Sequence, residues 1–599
     1  MESSKTRFGT NLALLFLILF FLLSYFEPHL LFSDTTPAGG DTPSHFTAAE
    51  RFRDFFLNHG QITGWDYGNL AGYPLFQYYF PLPFVLCALL SLIVPLTVSF
   101  KVVTVLSVIL LPVAAFYFLK KLDFQFPIPI IGSAAALLFL FVESQSMWGG
   151  NIPSALAGEF SYSLGMALAL FYLADFHRGI EAKRGIWRNS FLLALTGFTH
   201  GCALLVVGTI PIFYLFLGKD TLERLKYYLK VNLLAFMLLA FWLVPWLMSQ
   251  EYMTNFNFRW VFHSWSELFP TILLPFYSLA AISGLYSLYC LLRRKIKNEI
   301  DVHSRLLYLW FGALVCLIYF DIAYQLNVVD IRFVPFLQLF AVLIAAVFLG
   351  SLFQRFPIRW SFSIATVLLA MAWADYNSKT IRGWIRWNYE GFEKKPKWPA
   401  LKEIGEFVEG TFEDPRVVYE HSAQHDQFGS VRTFESLPHF SGRATLEGVY
   451  LQSSVNSPFI FYLQSEVSKV SSCPLPDYHC SSLNLRRALP HLELFNASHL
   501  ILRTDAAKQE ARSFPDLILE KSVPPLEIYR IVDSDGRYVV PLSCKPVLYT
   551  GQDWQRQSFQ WYRLYSPNSV PVVIDPDPDR EDRDRFVRRG DVRRRAHRS

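Results

Sequence analysis

Charged residues are scarce in this sequence. Asp, Glu, Lys and Arg make up 18% of the 599 residues and the mean hydropathy is +0.26, whereas about a quarter of the residues of a soluble protein are charged. The shortage is confined to the chain before residue 376, where apolar runs approach the length of a helix that crosses a bilayer. An ordinary soluble protein is therefore excluded for that part, and the remainder has the composition of a water-soluble domain.

Motifs of several enzyme classes are missing as well. The sequence contains no P-loop, no Gly-x-Ser-x-Gly, no HExxH and no cysteine–histidine spacing of a zinc site. These absences argue against nucleotide-driven chemistry. The net charge of +5 is modest, and the arginine-rich end of the chain is more typical of a solvated tail than of a nucleic-acid interface. We therefore expect no nucleic-acid partner.

The seven cysteines give no metal-binding pattern. Cys473 and Cys480 flank a short loop that contains proline, and they are a candidate disulfide if this part of the chain lies outside the cytoplasm. Cys544 is a competing partner, so the connectivity stays open. The other four cysteines lie in apolar runs, where they fill space: Cys87, Cys202, Cys290 and Cys316.

Basic residues orient the apolar runs in a membrane. Lys and Arg near helix ends favour the cytoplasmic side, and Lys5 and Arg7 precede the first run, which lacks the cleavage site of a signal peptide. One topology places every basic cluster inside. It predicts a polytopic α-helical protein of the cytoplasmic membrane, with its N-terminus inside and about eleven crossings. The predicted helices cover 11–32, 101–119, 127–143, 160–176, 190–200, 203–217, 231–249, 270–291, 305–323, 332–349 and 360–376.

Two segments fit this topology only with adjustments. The stretch 81–97 contains prolines and has no basic residue at its far end, so we expect it to lie in the outer leaflet, although a crossing stays open as an alternative. The stretch 190–217 must consist of two short helices that are broken at His200-Gly201. Non-helical backbone at this depth needs protein or water as a partner, which a cavity near His200 would supply.

The chain is predicted to have three parts. Residues 1–376 form the membrane domain, in which 33–100 is a first outer loop with amphipathic and re-entrant helices. Residues 377–545 alternate short apolar runs with turns, which is typical of an α/β domain, and the topology leaves this domain outside the cytoplasm. Residues 546–599 are predicted to be a partly disordered tail.

An aspartate at the outer edge of the membrane is the first candidate catalytic residue. Asp41 follows Gly39-Gly40 and precedes Thr42-Pro43, which has the residue types of a helix start with Thr42 at the N-cap. The helix dipole would help to keep Asp41 ionised. Because a charge beside a bilayer is costly, its presence favours a functional role.

Further ionisable residues fall on the same outer face under this topology. Glu159, at the top of a later helix, is the second candidate catalytic acid. Each of these residues also has a structural interpretation, which stays open: a solvated loop acid, a helix cap, a hydrogen-bonded core histidine, or an arginine that snorkels to the interface. The candidate substrate-binding residues are His45, Asp66, His200, Arg259, His263 and Arg332.

These residue types suit the transfer of a sugar from a lipid phosphate. The carboxylate of Asp41 can act as a general base on an acceptor hydroxyl, or can hold a divalent cation such as Mg²⁺ or Mn²⁺ together with Glu159. Arg332 can hold a phosphate through two hydrogen bonds. The predicted partners are a polyprenyl-phosphate sugar donor, membrane lipid, and a glycan, lipid or protein acceptor.

Several short motifs, in their order along the chain, resemble a known family. Over residues 10–460 they are similar to prokaryotic membrane proteins described as 6-pyruvoyl-tetrahydropterin synthase-related. Acids in two outer loops, many helices and a C-terminal outer domain together resemble the GT-C membrane glycosyltransferases. The GT-C resemblance implies a lipid-phosphate sugar donor, with Asp41 in the catalytic position and Glu159 as the second acid. The motifs are Gly39-Gly40-Asp41-Thr42, Trp148-Gly149-Gly150, Gly158-Glu159-Phe160, Thr199-His200, Arg332-Phe333-Val334-Pro335-Phe336, Glu435-Ser436-Leu437-Pro438 and Gly442-Arg443-Ala444-Thr445-Leu446-Glu447-Gly448.

The sequence departs from the oligosaccharyltransferase pattern, which belongs to the GT-C group, and from the soluble 6-pyruvoyl-tetrahydropterin synthase. It has no Asp-x-Asp in the second outer loop and no Trp-Trp-Asp in the outer domain, which argues against peptide glycosylation and obligate metal use. It also lacks the three-histidine zinc cluster of the soluble synthase. The predicted function is glycosyl transfer on the outer face. The alternatives are a transporter or flippase of lipid-linked glycans, which should show inverted repeats with broken helices, and a membrane protein without catalysis.

Overall fold

The structure is a computed structural model. It describes residues 4–217, 220–256, 259–292, 300–532, 534, 536–542, 544–549, 551, 553–566, 569 and 571–574. The end of the predicted tail, residues 575–599, lies outside the described residues. The chain divides into two compact units. The first comprises Met1–Gly64, Leu75–Glu251 and Asn255–Lys395, and the second comprises Trp65–Pro74, Tyr252–Thr254 and Pro396–Ser599.

The first unit is helical. Its helices begin with α1 (Ser4–Leu23), α2 (Pro28–Leu31), α3 (Thr42–His59), α4 (Leu82–Leu90), α5 (Leu96–Lys121), α6 (Ile128–Leu140), α7 (Ile152–Ser154) and α8 (Phe160–Ala182). They continue with α9 (Ile186–Thr199), α10 (Gly201–Thr209), α11 (Thr221–Met248), α12 (Trp265–Leu268), α13 (Leu274–Leu292), α14 (Ile300–Ile322), α15 (Val334–Phe353), α16 (Arg359–Asn377) and α17 (Ile381–Glu390). Two short strands, β1 (Gly64–Asp66) and β2 (Tyr73–Leu75), pair with each other, and most of their residues belong to the Trp65–Pro74 segment of the second unit.

Several of these helices are long and apolar enough to cross a bilayer. Within the described residues there are five such stretches: Leu96–Lys121, Ile152–Ala182, Thr221–Met248, Arg305–Leu326 and Asp330–Phe353. Shorter apolar helices accompany them over Gly9–Leu23, Ile128–Leu140, Gly201–Phe216 and Thr271–Ser287. The first unit is therefore the membrane domain, and the count of about eleven crossings stays a prediction.

Helix α6 lies at the centre of this unit. All of its residues are buried, and α5, α15 and α16 pack against it. A helix that is apolar on every side is stable only where other helices surround it. Helix α8, which directly follows Glu159, packs against α5, and α15, which begins two residues after Arg332, packs against α6.

The predicted first helix, 11–32, is wrong in its second half, because α1 ends at Leu23. The hydroxyl of Ser24 donates to the carbonyl oxygen of Phe21 (2.6 Å), and such local bonds compete with the helical pattern. Pro28 then disfavours helical backbone at Glu27, which has ψ 115°. The predicted break at His200-Gly201 is confirmed: α9 ends at Thr199, α10 begins at Gly201, and His200 between them is extended.

The second unit is a mixed α/β domain. Its helices are α18 (Trp398–Phe407), α19 (Leu437–Ser441), α20 (Ser457–Val467), α21 (Leu485–Leu494), α22 (Asp505–Ala511) and α23 (Trp554–Arg563). Its strands are β3 (Arg416–Tyr419), β4 (Ala497–Leu502), β5 (Leu517–Val523), β6 (Leu526–Ile531), β7 (Val547–Tyr549) and β8 (Val572–Ile574).

The four-stranded sheet of this domain has the order β3-β4-β6-β5. Strand β3 runs parallel to β4, while β6 is antiparallel to both β4 and β5. Cys473 and Cys480 form a disulfide, and Cys544 is an exposed free cysteine. Residues 546–549 and 553–563 of the segment predicted as tail contribute β7 and α23, and α23 packs against α20.

Candidate functional site

A pair of glycines holds Asp41 against the backbone that precedes α8. Gly39 and Gly40 have φ of +83° and +51°. A Cβ on Gly40 would lie 2.4 Å from the carbonyl oxygen of Ala157, and one on Gly39 would lie 1.8 Å from Asn388 Oδ1. Only glycine permits these positive φ values together with such close approach. The backbone N–H of Asp41 then donates to the carbonyl oxygen of Ala157 (2.7 Å).

The helix start at this point differs from the prediction. Asp41, not Thr42, is the N-cap of α3, and Thr42 and Pro43 form its first turn. The reason is the glycine turn, which already fixes the backbone at Asp41, so that the helix begins at Thr42, one residue earlier than predicted. The hydroxyl of Thr42 points at the carbonyl oxygen of Leu156 (3.4 Å) instead of capping the helix. Asp41 consequently lies at the N-terminus of α3.

A π-helical turn brings the second acid beside the first. Ala155–Glu159 form this turn between α7 and α8, and Gly158 within it has φ +127°. A Cβ on Gly158 would lie 2.9 Å from Asp41 Cβ and 3.0 Å from His45 Cδ2. The bare glycine backbone therefore lets Asp41 and His45 pack beside Glu159, and the charges of Asp41 and Glu159 are close enough to interact. Turns of this kind occur frequently at functional sites.

Glu159 forms an ion pair with Arg332, which lies in a 3₁₀ turn just before α15. Nη2 of Arg332 donates to Glu159 Oε1, and Nη1 donates to the carbonyl oxygen of Met147 (2.5 Å). The hydroxyl of Tyr162 donates to the carbonyl oxygen of Arg332 and anchors its backbone. The two charged side chains remain 18% and 19% exposed, so a ligand can reach the pair.

Aromatic rings surround the two candidate histidines. His45 is 3% exposed, and its ring lies edge-on to Phe160 (5.5 Å between centroids). His200 packs on Phe80 (4.6 Å) and Tyr162 (4.9 Å). Its Nδ1 accepts the N–H of Cys202 (3.2 Å) and so caps α10. Histidines in such positions are held rigidly at the edge of the site.

Tyr79 is a further polar group beside the ion pair. Burial raises the pKa of Tyr79, the negative charge of Glu159 raises it further, and Arg332 opposes this. The phenol is therefore neutral at physiological pH and can donate or accept a hydrogen bond. The sequence alone singles out no role for Tyr79, because it lies in a run of aromatic residues with no distinctive spacing.

The three other predicted substrate-binding residues make local contacts of their own. Arg259 is exposed and its guanidinium lies over the ring of Tyr324 (5.1 Å). His263 is also exposed, with its Nδ1 3.6 Å from Glu267 Oε1. Asp66 belongs to the second unit, where its Oδ1 accepts the backbone N–H of Gly68 (2.9 Å). Within the first unit, the structure thus brings Asp41, His45, Glu159, His200 and Arg332 together.

Sequence reasoning missed a buried lysine that supports the Asp41 segment. The ammonium of Lys101 in α5 is fully buried. It donates to the carbonyl oxygens of Leu30, Ser33 and Tyr389 (3.2, 2.9 and 3.0 Å) and to the hydroxyls of Ser33 and Thr35 (3.0 and 2.8 Å). The available signal was a lysine inside an apolar helix whose other two lysines, Lys120 and Lys121, stand at its C-terminal end.

The end of α17 is the second support that sequence reasoning missed. The carbonyl oxygen of Asn388 accepts the N–H of Ala38 (3.0 Å), and its Nδ2 donates to the carbonyl oxygen of Leu156 (2.7 Å). Both carboxylate oxygens of Glu393 accept the N–H of Thr36 (3.0 Å each). One short stretch of chain therefore binds both the segment before Asp41 and the segment before Glu159.

The residues present do not form a ready-made metal site. Among the residues that the structure describes, no group of three or more His, Cys, Asp and Glu side chains is arranged to hold a metal ion. Asp41 and Glu159 would supply two carboxylates, but Arg332 engages Glu159. In this arrangement the site offers a carboxylate base, an arginine for an anion and neutral hydroxyl groups.

Solved structures share this fold. The chain is similar to arabinofuranosyltransferase AftD from Mycobacteria (TM-score 0.57, 14% identity, 94% of this chain and 45% of that chain). It is also similar to ArnT from Cupriavidus metallidurans (TM-score 0.50, 13% identity, 89% and 100%). The Archaeoglobus fulgidus oligosaccharyltransferase in complex with Zn and sulfate gives a TM-score of 0.48, with 12% identity over 83% and 69% of the two chains. The chain spans less than half the length of AftD.

These similarities define a multi-pass helical membrane protein with a GT-C-like fold and a C-terminal mixed α/β domain. Residues 76–389 match the family described as "6-pyruvoyl-tetrahydropterin synthase related domain; membrane protein". This match covers more than half of the sequence, and the chain belongs to that family. Residues 401–519 match a domain of unknown function, DUF8559. No curated protein matches the chain.

Proposed function

We propose that the protein is an integral membrane glycosyltransferase that moves a sugar from a polyprenyl-phosphate donor to a glycan, lipid or protein acceptor on the outer face. The observation that carries this proposal is the position of Asp41 beside the Glu159–Arg332 ion pair. A general base and an anion-binding arginine are the two groups that such a transfer needs. The shared fold with an arabinofuranosyltransferase supports it.

Asp41 is the proposed base. It accepts the proton of the acceptor hydroxyl, whose oxygen forms a bond to the anomeric carbon of the sugar. The bond between that carbon and the phosphate oxygen breaks, and the polyprenyl phosphate leaves with its bonding electron pair. Arg332 balances the charge that develops on the phosphate, and Glu159 is the second acid of the site.

The remaining predicted residues have supporting roles in this proposal. His45 and His200 line the edge of the site, and the neutral hydroxyl of Tyr79 orients a bound ligand. Asp66, Arg259 and His263 stay proposed substrate contacts, because ligand binding can bring further groups to a site. A divalent cation such as Mg²⁺ or Mn²⁺ stays a proposed cofactor, held by Asp41 and Glu159.

The outer location follows from the positive-inside pattern of the sequence. We propose about eleven crossings, a cytoplasmic N-terminus and an external α/β domain of residues 377–545, followed by the tail 546–599. The disulfide between Cys473 and Cys480 is consistent with an oxidising compartment. The donor then reaches Asp41 from the outer leaflet.

Substitution of Asp41 in living cells tests the proposal. A null strain is complemented with wild type, with Asp41→Asn, or with Asp34→Asn, which removes an exposed acid from the same segment. Polyprenyl-phosphate sugars and surface glycans are measured by mass spectrometry, and protein levels by immunoblot. We expect Asp41→Asn to lose about 10²–10⁴-fold in transfer, so that donor accumulates, while Asp34→Asn behaves as wild type. Full rescue by Asp41→Asn would favour a transporter or a protein without catalysis.

A further inference from the structure

Arg332 is already engaged by a carboxylate in this structure. Its Nη2 donates to Glu159 Oε1 and its Nη1 to the carbonyl oxygen of Met147. A guanidinium binds carboxylates and phosphates with the same planar set of N–H groups. A phosphate that binds Arg332 in the proposed reaction would therefore need donors that Glu159 now occupies.

The charges of the site give a second argument. Asp41 and Glu159 each carry a negative charge when ionised, and their charges interact. Arg332 is the positive group that pairs with Glu159. A phosphate that simply joined this group would face both acids at short range in a partly desolvated place, where such repulsion is strong. Withdrawal of Glu159 from Arg332 removes this conflict, because the phosphate then takes over its neutralising role.

The local structure allows this exchange. The ion pair is partly exposed, so a head group can approach it without unfolding any element. Glu159 is the last residue of the π-helical turn and immediately precedes α8. Rotation of its side chain alone takes the carboxylate away from the guanidinium. Arg332 itself stays in place, because Tyr162 and Met147 hold its backbone and Nη1.

We propose that Glu159 is an internal competitor of the donor: its carboxylate occupies the position of the lipid phosphate on Arg332 until the phosphate displaces it. This inference rests on the proposed function, and it deepens that proposal by assigning the phosphate subsite. It predicts that removal of the Glu159 charge strengthens phosphate binding. A phosphate-binding site usually loses affinity when one of its polar residues is changed, so the expected direction is distinctive.

Binding measurements on the full chain test the inference without any assay of catalysis. Undecaprenyl phosphate is titrated into the protein in nanodiscs of neutral lipid, in the presence of EDTA, and occupancy is followed by native mass spectrometry. We expect Glu159→Gln to bind about 3- to 30-fold more tightly than wild type, because a state in which Arg332 is engaged lowers apparent affinity in proportion to its population. Glu181→Gln, at the exposed end of the same helix, gives the same change of net charge and should bind like wild type.

A double-mutant cycle separates competition from a general structural effect. If Glu159 acts mainly by occupying Arg332, Glu159→Gln should tighten binding much less when Arg332→Gln is also present, because only the direct repulsion between the carboxylate and the phosphate is then removed. Glu159→Asp, which shortens the side chain and draws the carboxylate back, should also tighten binding, and it serves as the second variant if Glu159→Gln does not fold. Equal or weaker binding by both variants would overturn the inference.

The outcomes also distinguish this inference from the proposed function. Absence of undecaprenyl phosphate binding by wild type would contradict the phosphate subsite of the proposed function itself. Binding by wild type that Glu159→Gln leaves unchanged or weakens would reject the competitor role and leave the transferase proposal standing. The titration is repeated with Mn²⁺ in place of EDTA. If Glu159→Gln binds more weakly than wild type in both conditions, Glu159 contributes directly to the phosphate subsite, and the competitor role is rejected.

Discussion

At the scale of single residues, the site depends on groups that are far apart in the sequence. Lys101 donates to the segment that precedes Asp41 and to the carbonyl oxygen of Tyr389 at the end of α17. A buried ammonium is tolerated only when acceptors surround it. The carbonyl oxygens in turn depend on Lys101 as a donor, because a buried carbonyl group without a hydrogen bond lowers the stability of the folded protein.

We expect Lys101→Met to destabilise the membrane domain. The methionine fills a similar volume but leaves buried carbonyl oxygens without a donor, at a cost of about 1–3 kcal/mol. The measurement is the apparent melting temperature of the purified protein in detergent, which should fall. Lys120→Met, at the exposed end of the same helix, is the control and should melt like wild type. A Lys101→Met protein as stable as wild type would show that these bonds contribute little.

Individual residues also show what the sequence can and cannot predict. Local composition correctly predicted the break at His200-Gly201, because a polar residue and a glycine interrupt an apolar run. It did not predict that Asp41 caps α3, because the capping position depends on the contact between Gly40 and the backbone of Ala157. It also missed Lys101 and Asn388. Their partners lie up to 350 residues away, which is the separation of Ala38 and Asn388, whereas periodicity gives information only on local structure.

At the scale of elements, hydrogen bonds from the end of α17 connect the segment before Asp41 with the segment before Glu159. At its N-terminal end, Glu143 Oε1 accepts the N–H groups of Lys379, Thr380 and Ile381 (2.9, 2.9 and 3.0 Å). This satisfies donors that a helix start leaves without partners. At its other end, Asn388 binds the backbone of Ala38 and Leu156. The helix therefore fixes the distance between Asp41 and Glu159.

Asn388→Ala should reduce transfer more than it reduces donor binding. Loss of the Nδ2 bond to Leu156 frees the turn before Glu159, and small misplacements of reacting groups cost up to about 10²-fold in rate. Arg332 does not depend on this bond, so undecaprenyl phosphate should bind at least as tightly as to wild type, and more tightly if the freed turn also draws Glu159 away from Arg332. The measurements are the same lipid analysis in the complemented null strain and the same nanodisc titration.

Asn377→Ala is the matched control for this experiment, because Asn377 lies just before α17 and its side chain donates within α16 to the carbonyl oxygen of Trp373. It should leave both quantities unchanged. Equal losses of transfer and binding in Asn388→Ala would mean that α17 supports the whole unit and does not specifically position the acids.

At the scale of the whole molecule, the apolar runs predicted the helical membrane domain, and the alternation of short runs predicted the α/β domain. The π-helical turn at Gly158 was not predicted, since glycine before an acid is equally typical of an ordinary helix start. The assignment of Asp66 to the second unit was not predicted either, because residues near Asp66 in sequence belong to the membrane domain. Which unit a loop joins is decided by packing, not by composition.

The proposed topology makes a prediction for the entire chain. Reporter fusions that end at residue 225 and at residue 450 should report opposite sides of the membrane, because an odd number of crossings separates them. Green fluorescent protein is expected to fluoresce at residue 225 and alkaline phosphatase to be active at residue 450, with the converse fusions inactive. Activity of the same reporter at both positions would contradict the external placement of the second unit and with it the outer-face reaction.

Helix α6 has a consequence for how the protein fits its bilayer. Its 13 residues give a length of about 20 Å, which is shorter than a hydrocarbon core of about 30 Å. Because every residue of α6 is covered by protein, the shortfall is not presented to lipid tails. Lipid instead meets helices such as α11, which has 28 residues and is mostly uncovered. We therefore expect the peripheral helices to tilt when the acyl-chain length changes. The packing of α5, α15 and α16 against the short central helix α6 should stay unchanged.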